Sequence, residues 1–198
     1  MQTGKTKRGL SVITHFNLKF TVFIVTLFLA LTIGDAWASA QALRRAALEG
    51  QIEKVRASLD QGASPDARDA DGRTALMMAA FNGHTKSAQL LMDRGAKVNV
   101  HDGVGRTALM YAAAGPNTQT VKHLIDHGAN LDIQDTEEGF TALMFAAAEG
   151  EAEVIKVLLS HGANIKITDK DGDTALCFAK KNGHQEAVQE LEKAMEGK

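Results

Sequence analysis

The sequence has very few of the residues and motifs that would cross-link, glycosylate or chemically activate a protein. Only one of its 198 residues is a cysteine, so no disulfide can form within the chain. No Asn-x-Ser/Thr triplet occurs, so the chain offers no acceptor for N-glycosylation. The single Cys177 has neither a partner cysteine nor a flanking basic pair, and we interpret it as a small buried hydrophobic residue.

Signatures of catalysis and of metal binding are also missing. The chain has no nucleophile elbow, no glycine-rich loop that would cradle a phosphate and no paired metal-ligand motif. His123 and His127 lie four residues apart on a predicted helix, a spacing that can place two imidazoles on one side for a metal. No carboxylate or cysteine completes that set, and His127 stands before Gly128, where a helix C-terminus favours a polar residue. We therefore predict a protein that is not an enzyme, with no metal and no cofactor.

The charge balance argues against a nucleic-acid partner. The whole chain has 22 basic and 24 acidic residues, a net charge of −2. The first 38 residues contain four of the basic residues and one of the acidic ones, so the remainder has 18 against 23 and a net charge of −5. Proteins that bind nucleic acid are typically basic, whereas a net negative charge fits a soluble protein.

The N-terminus has the order of an export signal. Basic residues precede an uncharged stretch of 15 residues over 20–34, and two small-x-small patterns end at Ala38 and Ala40. This order predicts a secretory signal peptide over residues 1–38, with cleavage after Ala38 or Ala40. The alternative is an uncleaved membrane anchor, although the apolar stretch is shorter than the roughly 20 residues of a spanning helix. Both place the rest of the chain outside the cytoplasm, and the missing disulfides and glycosylation sites favour a bacterial periplasm.

After residue 40 the sequence repeats itself. The motif Thr-Ala-Leu-x-x-Ala begins at four positions that are 33, 34 and 33 residues apart: Thr74, Thr107, Thr141 and Thr174. A period near 33 is typical of stacked helical repeats, in which each unit buries its apolar face only against its neighbours. The one longer interval arises before Thr141, where the turn Asp135-x-x-x-Gly139 has one extra residue.

Each unit predicts two helices joined by a turn. Thr74 is a good N-cap residue for a short alanine-rich helix over residues 75–81, and Asn82-Gly83 is a turn signal. Apolar residues at helical spacing predict a second helix from Thr85 to Arg94. Gly95 follows at the point where a helix commonly ends on a left-handed residue.

These residues resemble the ankyrin repeat. Residues 69–99 match the pattern Asp-x-x-Gly-x-Thr-x-Leu-x-x-Ala-Ala-x-x-Gly-His, followed by Leu-Leu-x-x-Gly-Ala-x-Val-Asn, and the resemblance extends over residues 40–195. It implies an all-α solenoid of about five helix–turn–helix–loop repeats, capped at both ends, that forms one domain over residues 39–198. The repeats are expected near residues 41–73, 74–106, 107–140, 141–173 and 174–198.

The sequence departs from the family pattern at one position that recurs in every complete unit. The usual histidine is replaced by Met77, Met110, Met144 and Cys177. The replacement removes one polar link within a repeat. Equivalent positions of stacked helices lie about 8–10 Å apart, too far for one metal ion to bridge, so we interpret the methionines as core or groove-lining residues.

The resemblance implies that a protein partner contacts the projecting loops and the exposed side of the first helices. Carried over to this sequence, the candidate binding residues are Asp71, Arg73, Phe81, Asn82, Val104, Arg106, Glu137, Glu138, Phe140, Glu149, Asp171 and Asp173. Phe81 and Phe140 are aromatic at positions expected to be exposed, and aromatic side chains are common interface anchors. The alternative for either ring is that it packs against an adjacent repeat.

We therefore expect a non-catalytic protein–protein interaction module, exported to the periplasm, that binds a partner protein and no nucleic acid. One alternative is an adaptor anchored in the inner membrane by an uncleaved N-terminal segment and facing the periplasm. Another is a periplasmic protein that binds a metal or another small ligand.

Overall fold

The computed structural model describes residues 38–196, and the predicted signal peptide lies, except for Ala38, outside the described residues. The described chain is helical apart from its turns and one isolated β-bridge between His101 and Thr107. From Ser39 onward it forms one compact unit. Between residues 38 and 196, no helix is both long enough and apolar enough to cross a membrane.

Ten helices of the described residues form five pairs, which confirms the predicted solenoid. The first helices of the pairs are α1 (38–48), α3 (Ala75–Phe81), α5 (Ala108–Ala113), α7 (Ala142–Glu149) and α9 (Ala175–Lys181). The second helices are α2 (Ile52–Asp60), α4 (Thr85–Asp93), α6 (Thr118–Asp126), α8 (Ala152–Ser160) and α10 (Gln185–Glu196). First helices pack against first helices of neighbouring repeats and second against second, so the stack has two layers.

Threonine begins the first helix of each complete repeat, as predicted. The backbone of Thr74 is extended (φ −101°, ψ 167°), and its hydroxyl accepts a hydrogen bond from the amide of Met77 at 3.4 Å. In return the thioether sulfur of Met77 accepts the amide of Thr74 at 3.4 Å. The same reciprocal pairs join Thr107 to Met110 and Thr141 to Met144. The expected loss of a polar link is therefore wrong for these repeats, because sulfur supplies a weak acceptor.

The helix ends also follow the sequence closely. Helix α3 has the predicted bounds, and α4 ends at Asp93, one residue earlier than expected, with Arg94 as its cap. Gly95 is left-handed, with a φ of 87°. That conformation is strained for residues with a Cβ atom, so glycine ends the helix at little cost.

Methionines and alanines of the first helices form the centre of the core. Met77, Met110 and Met144 are at most 2% exposed, so they are core residues. Alanine pairs in the same helices are fully buried, and their small side chains let neighbouring helices approach closely. Cys177, which we expected to be buried, is only partly so, because no later repeat covers the last one.

Side chains join the first helices of successive repeats at the turn that follows each helix. The Asn82 amide donates to the carbonyl of Leu48 at 2.8 Å, and Nε2 of His84 lies 3.0 Å from the same oxygen. Gly50 lies under the His84 ring with a φ of 67°, and a Cβ there would stand 2.5 Å from Nδ1. Only glycine fits this junction without displacing the histidine.

Candidate functional site

The projecting turns form a continuous border, here called the loop edge, made of residues 69–73, 102–106, 135–140 and 169–173. Main-chain hydrogen bonds connect each turn to the next, from Gly103 to Asp71 at 2.8 Å, from Thr136 to Val104 at 2.9 Å and from Lys170 to Glu138 at 3.0 Å. Each turn is also held from inside by its first aspartate. Because both kinds of bond involve main-chain groups, the tips are fixed in place.

The longer turn keeps this construction despite its extra residue. One carboxylate oxygen of Asp135 accepts the amides of Glu138, Gly139 and Phe140 at 2.9, 2.8 and 3.2 Å. The equivalent oxygen of Asp169 accepts two amides. The insertion is therefore accommodated by one more hydrogen bond to the same carboxylate.

Arg73 is held within its own turn. Its guanidinium bonds to Asp69 at 3.0 Å and to Asp71 at 2.7 Å. Burial opposes ionisation of Asp69, but hydrogen bonds from the main chain and side chain of Arg73 outweigh it and lower the pKa of that carboxyl. The predicted charge at Arg73 is thus neutralised within the turn.

Arg106 instead crosses to the following repeat. The second oxygen of its own Asp102 accepts the Tyr111 hydroxyl at 2.7 Å, so that position is occupied. Arg106 reaches Glu137 at 2.9 Å and lies 3.6 Å from the fully buried carboxylate of Asp135. Burial, and next the bond to Asp102, raise the pKa of Tyr111 to about 12, so this hydroxyl stays protonated as the donor.

Five rings line the exposed side of the first helices beside the loop edge. This aromatic surface consists of Phe81, Tyr111, Phe140, Phe145 and Phe178. Phe81 is 55% exposed, as predicted, and meets Tyr111 edge-on with the ring centres 6.1 Å apart. The predicted exposure of Phe140 is wrong. Its ring is partly buried, 5.5 Å from Phe145 and 4.7 Å from Phe178, because the following repeat supplies the second ring.

Three members of the aromatic surface were not among the predicted binding residues. Tyr111, Phe145 and Phe178 recur at the fifth position of the repeated Thr-Ala-Leu motif, where the second repeat has Met78. The signal was therefore present as a column of large side chains within a helix that is otherwise rich in alanine. All four of these side chains are partly buried.

The structure places most predicted binding residues at the surface. Eight are exposed: Asp71, Phe81, Asn82, Val104, Glu137, Glu138, Glu149 and Asp171. Four are partly buried: Arg73, Arg106, Phe140 and Asp173. Two have structural contacts of their own, since Asn82 bonds to the preceding repeat and Asp173 pairs with Lys181, whose hydrogen bond lowers the pKa of Asp173.

Comparison with protein families decides the classification. The family model for ankyrin repeats in three copies matches residues 43–135 and, overlapping them, residues 109–196. The chain belongs to the ankyrin-repeat family. Ankyrin repeats generally mediate protein–protein interaction, and the family is typically non-catalytic. A search of curated proteins finds no match.

The two histidines considered for a metal have other partners in this ankyrin stack. Nδ1 of His123 lies 2.8 Å from the carbonyl of Gln119, and Nδ1 of His127 lies 2.7 Å from that of His123. Nε2 of His127 lies 3.9 Å from Asp93. Across residues 38–196, no three or more histidine, cysteine or acidic side chains are grouped as a metal site would need.

Proposed function

We propose that this ankyrin-repeat protein is an exported, non-catalytic module that binds a partner protein through the loop edge and the aromatic surface. The exposure of Phe81 beside that border is the observation that carries the proposal. A ring more than half exposed to water gains stability when a partner covers it, and aromatic side chains are frequent interface anchors.

The distribution of exposed apolar side chains supports the same face. Four large hydrophobic side chains of the described chain are exposed: Leu48, Phe81, Val104 and Met195. Leu48 and Phe81 occupy equivalent positions in successive first helices, and Val104 stands at a loop tip. Exposed apolar residues that cluster on one side of a monomer mark an interaction site more often than scattered ones do.

Site-specific photocrosslinking tests the binding face. A photoreactive phenylalanine analogue at Phe81 of the full chain, expressed in its host, is expected to give a discrete adduct with another protein. The same analogue at Gln89, exposed on the second helix α4, is the matched control and is expected to give none. Adducts of equal yield at both positions, or none at Phe81, would rule out this face.

Export rests on the N-terminal sequence and on the lone cysteine, and it has its own test. Cell fractionation of the full chain should place the protein in the periplasm, and N-terminal sequencing should begin at Ser39 or Gln41. Full-length protein found only in membranes would favour the anchored adaptor instead. Full-length protein found in the cytoplasm would contradict export.

A further inference from the structure

Cations along the proposed binding face are already engaged within the chain. The ion pairs are Arg45 with Glu49, Arg73 with Asp69 and Asp71, Arg106 with Asp135 and Glu137, Lys180 with Glu192, and Lys181 with Asp173. Lys170 directs its ammonium group to the main-chain carbonyls of Thr136 and Glu137, at 2.8 and 2.6 Å. An acidic partner would have to break these contacts before it could use the charges.

Three carboxylates of the same face have no such compensation. Glu138 stands on the third tip, Asp171 on the fourth and Glu149 at the end of α7, and all three are exposed. Within residues 38–196, none of them forms an ion pair with a lysine, arginine or histidine. Two residues separate Glu138 from Phe140, and Glu149 lies one helical turn after Phe145, on the same side of the helix. The uncompensated charge therefore borders the aromatic surface.

Two of these carboxylates project from tips with fixed backbones. The carbonyl of Glu138 accepts the amide of Lys170 at 3.0 Å, and the amide of Asp171 donates to the Asp169 carboxylate at 3.0 Å. Their positions are set before any partner arrives, so little backbone entropy is lost on binding.

We propose that the partner presents a segment in which lysine or arginine stands beside an aliphatic or aromatic side chain. The apolar side chain contacts the aromatic surface while the cation faces Glu138 and Asp171. This inference rests on the proposed function and adds the chemistry of the partner to it. Oppositely charged surfaces speed association and exclude partners of the wrong sign, and a cation near exposed rings gains further attraction.

Three short peptides of one length test the proposal by fluorescence anisotropy against the full chain. All three contain the same leucine and phenylalanine core, flanked by lysine in the first, glutamine in the second and glutamate in the third. The expected order of affinity is lysine above glutamine above glutamate, and added salt should weaken the lysine peptide most. The glutamine peptide reports apolar docking without charge.

Charge reversal locates the effect. The double variant Glu138→Lys/Asp171→Lys should weaken the lysine peptide by roughly tenfold and improve the glutamate peptide. The control Asp126→Lys/Glu186→Lys makes the same change of net charge at exposed positions of the second helices and should leave all three affinities unaltered. Circular dichroism of both variants checks that they fold.

The possible outcomes separate the inference from the function beneath it. Equal binding of the three peptides, or equal losses in the two double variants, overturns the basic-segment inference. If the adduct at Phe81 still forms in that case, binding by this face survives without it. No binding of any peptide overturns the inference as well, and only the missing adduct at Phe81 would overturn the proposed function.

Discussion

The fourth junction of the stack, between the last two repeats, differs from the third in the side chains that join the first helices. At the fourth junction, Asn182 donates to the carbonyl of Ala148 at 2.7 Å, and Nε2 of His184 lies 2.9 Å from the same oxygen. At the third junction the equivalent positions are Glu149 and Glu151. An ionised carboxylate can only accept a hydrogen bond, so it cannot bind a carbonyl.

The third junction also has Pro116 where the fourth has Gly150. In residues 38–196 no side chain donates to the carbonyl of Ala114, which is the equivalent acceptor. The compensation lies at the other end of the same repeats, where Arg106 crosses to the acidic turn. The comparison shows that one stack can join its repeats at the helix turns, at the loop edge, or at both.

The largest effect is expected from breaking the fourth junction. Gly150→Ala places a Cβ 2.5 Å from the His184 ring at a φ of 78°, and we expect unfolding free energy to fall by about 3 kcal/mol from strain and overpacking together. Urea unfolding followed by circular dichroism measures it. Gly162→Ala is the control, since its φ is 92° but nothing lies within 4 Å, and about 1–2 kcal/mol is expected. Equal losses would contradict the close contact.

Removal of Arg106 tests the compensation at the third junction. Arg106→Ala leaves the fully buried Asp135 carboxylate without its cation, and we expect a loss of about 2 kcal/mol, reduced from the value for a buried pair because the arginine is one-third exposed. Arg73→Ala removes a more exposed pair and should cost less than about 1 kcal/mol. Chemical denaturation compares the two variants. A larger loss for Arg73→Ala would show that the third junction does not depend on this contact.

Restoring a donor should sharpen the comparison in the opposite direction. Glu151→Gln offers an amide to the Ala114 carbonyl and removes a half-buried charge, so at neutral pH we expect a gain of about 1 kcal/mol. Thermal unfolding measures it. Glu186→Gln, at an exposed position without an ion pair, should change nothing.

The same variant has a pH signature with a defined sign. Burial, followed by repulsion from Glu149, raises the pKa of Glu151, with His184 opposing. The folded state therefore favours the protonated carboxyl, and the resulting stabilisation is complete below the unfolded pKa and lost as pH rises through the folded one. The advantage of Glu151→Gln should shrink as pH falls toward 4.5, the ordinary value for this carboxyl. An advantage that grows on acidification would refute the assignment.

The smallest expected effect is a coupling between two neighbouring substitutions. By analogy with Gly150 beneath His184, a histidine at position 151 needs glycine at position 116. Glu151→His alone should therefore gain nothing, whereas adding Pro116→Gly should yield a favourable coupling energy of about 0.5–1 kcal/mol in a double-mutant cycle. Strict additivity of the two single changes would argue against the shared geometry.

Features fixed by neighbours in sequence could be predicted, and features fixed by neighbours in space could not. The bounds of α3 and the left-handed Gly95 follow from an N-cap threonine and a C-terminal glycine within one unit. Arg106 was predicted to offer its charge to a partner, but its contacts depend on Tyr111, which occupies the nearer carboxylate. No spacing rule contains that competition between two side chains for one acceptor.

Phe140 illustrates the same limit. The sequence placed it on a loop, and its burial follows from Phe178, a ring in the next repeat. The predicted export, partner binding and individual binding residues concern events outside the described chain, so they stay predictions. Their tests are the adduct, the N-terminal sequence and the peptide affinities described above.

The first aspartate of each turn has a consequence for how the family diversifies. Asp135 holds a longer turn with the same carboxylate oxygen with which Asp169 holds a shorter one. The residues between that aspartate and the following glycine are therefore free to vary in identity, and even in number, without loss of the scaffold. Each tip is an interchangeable part, and specificity can change one turn at a time while the core stays as it is.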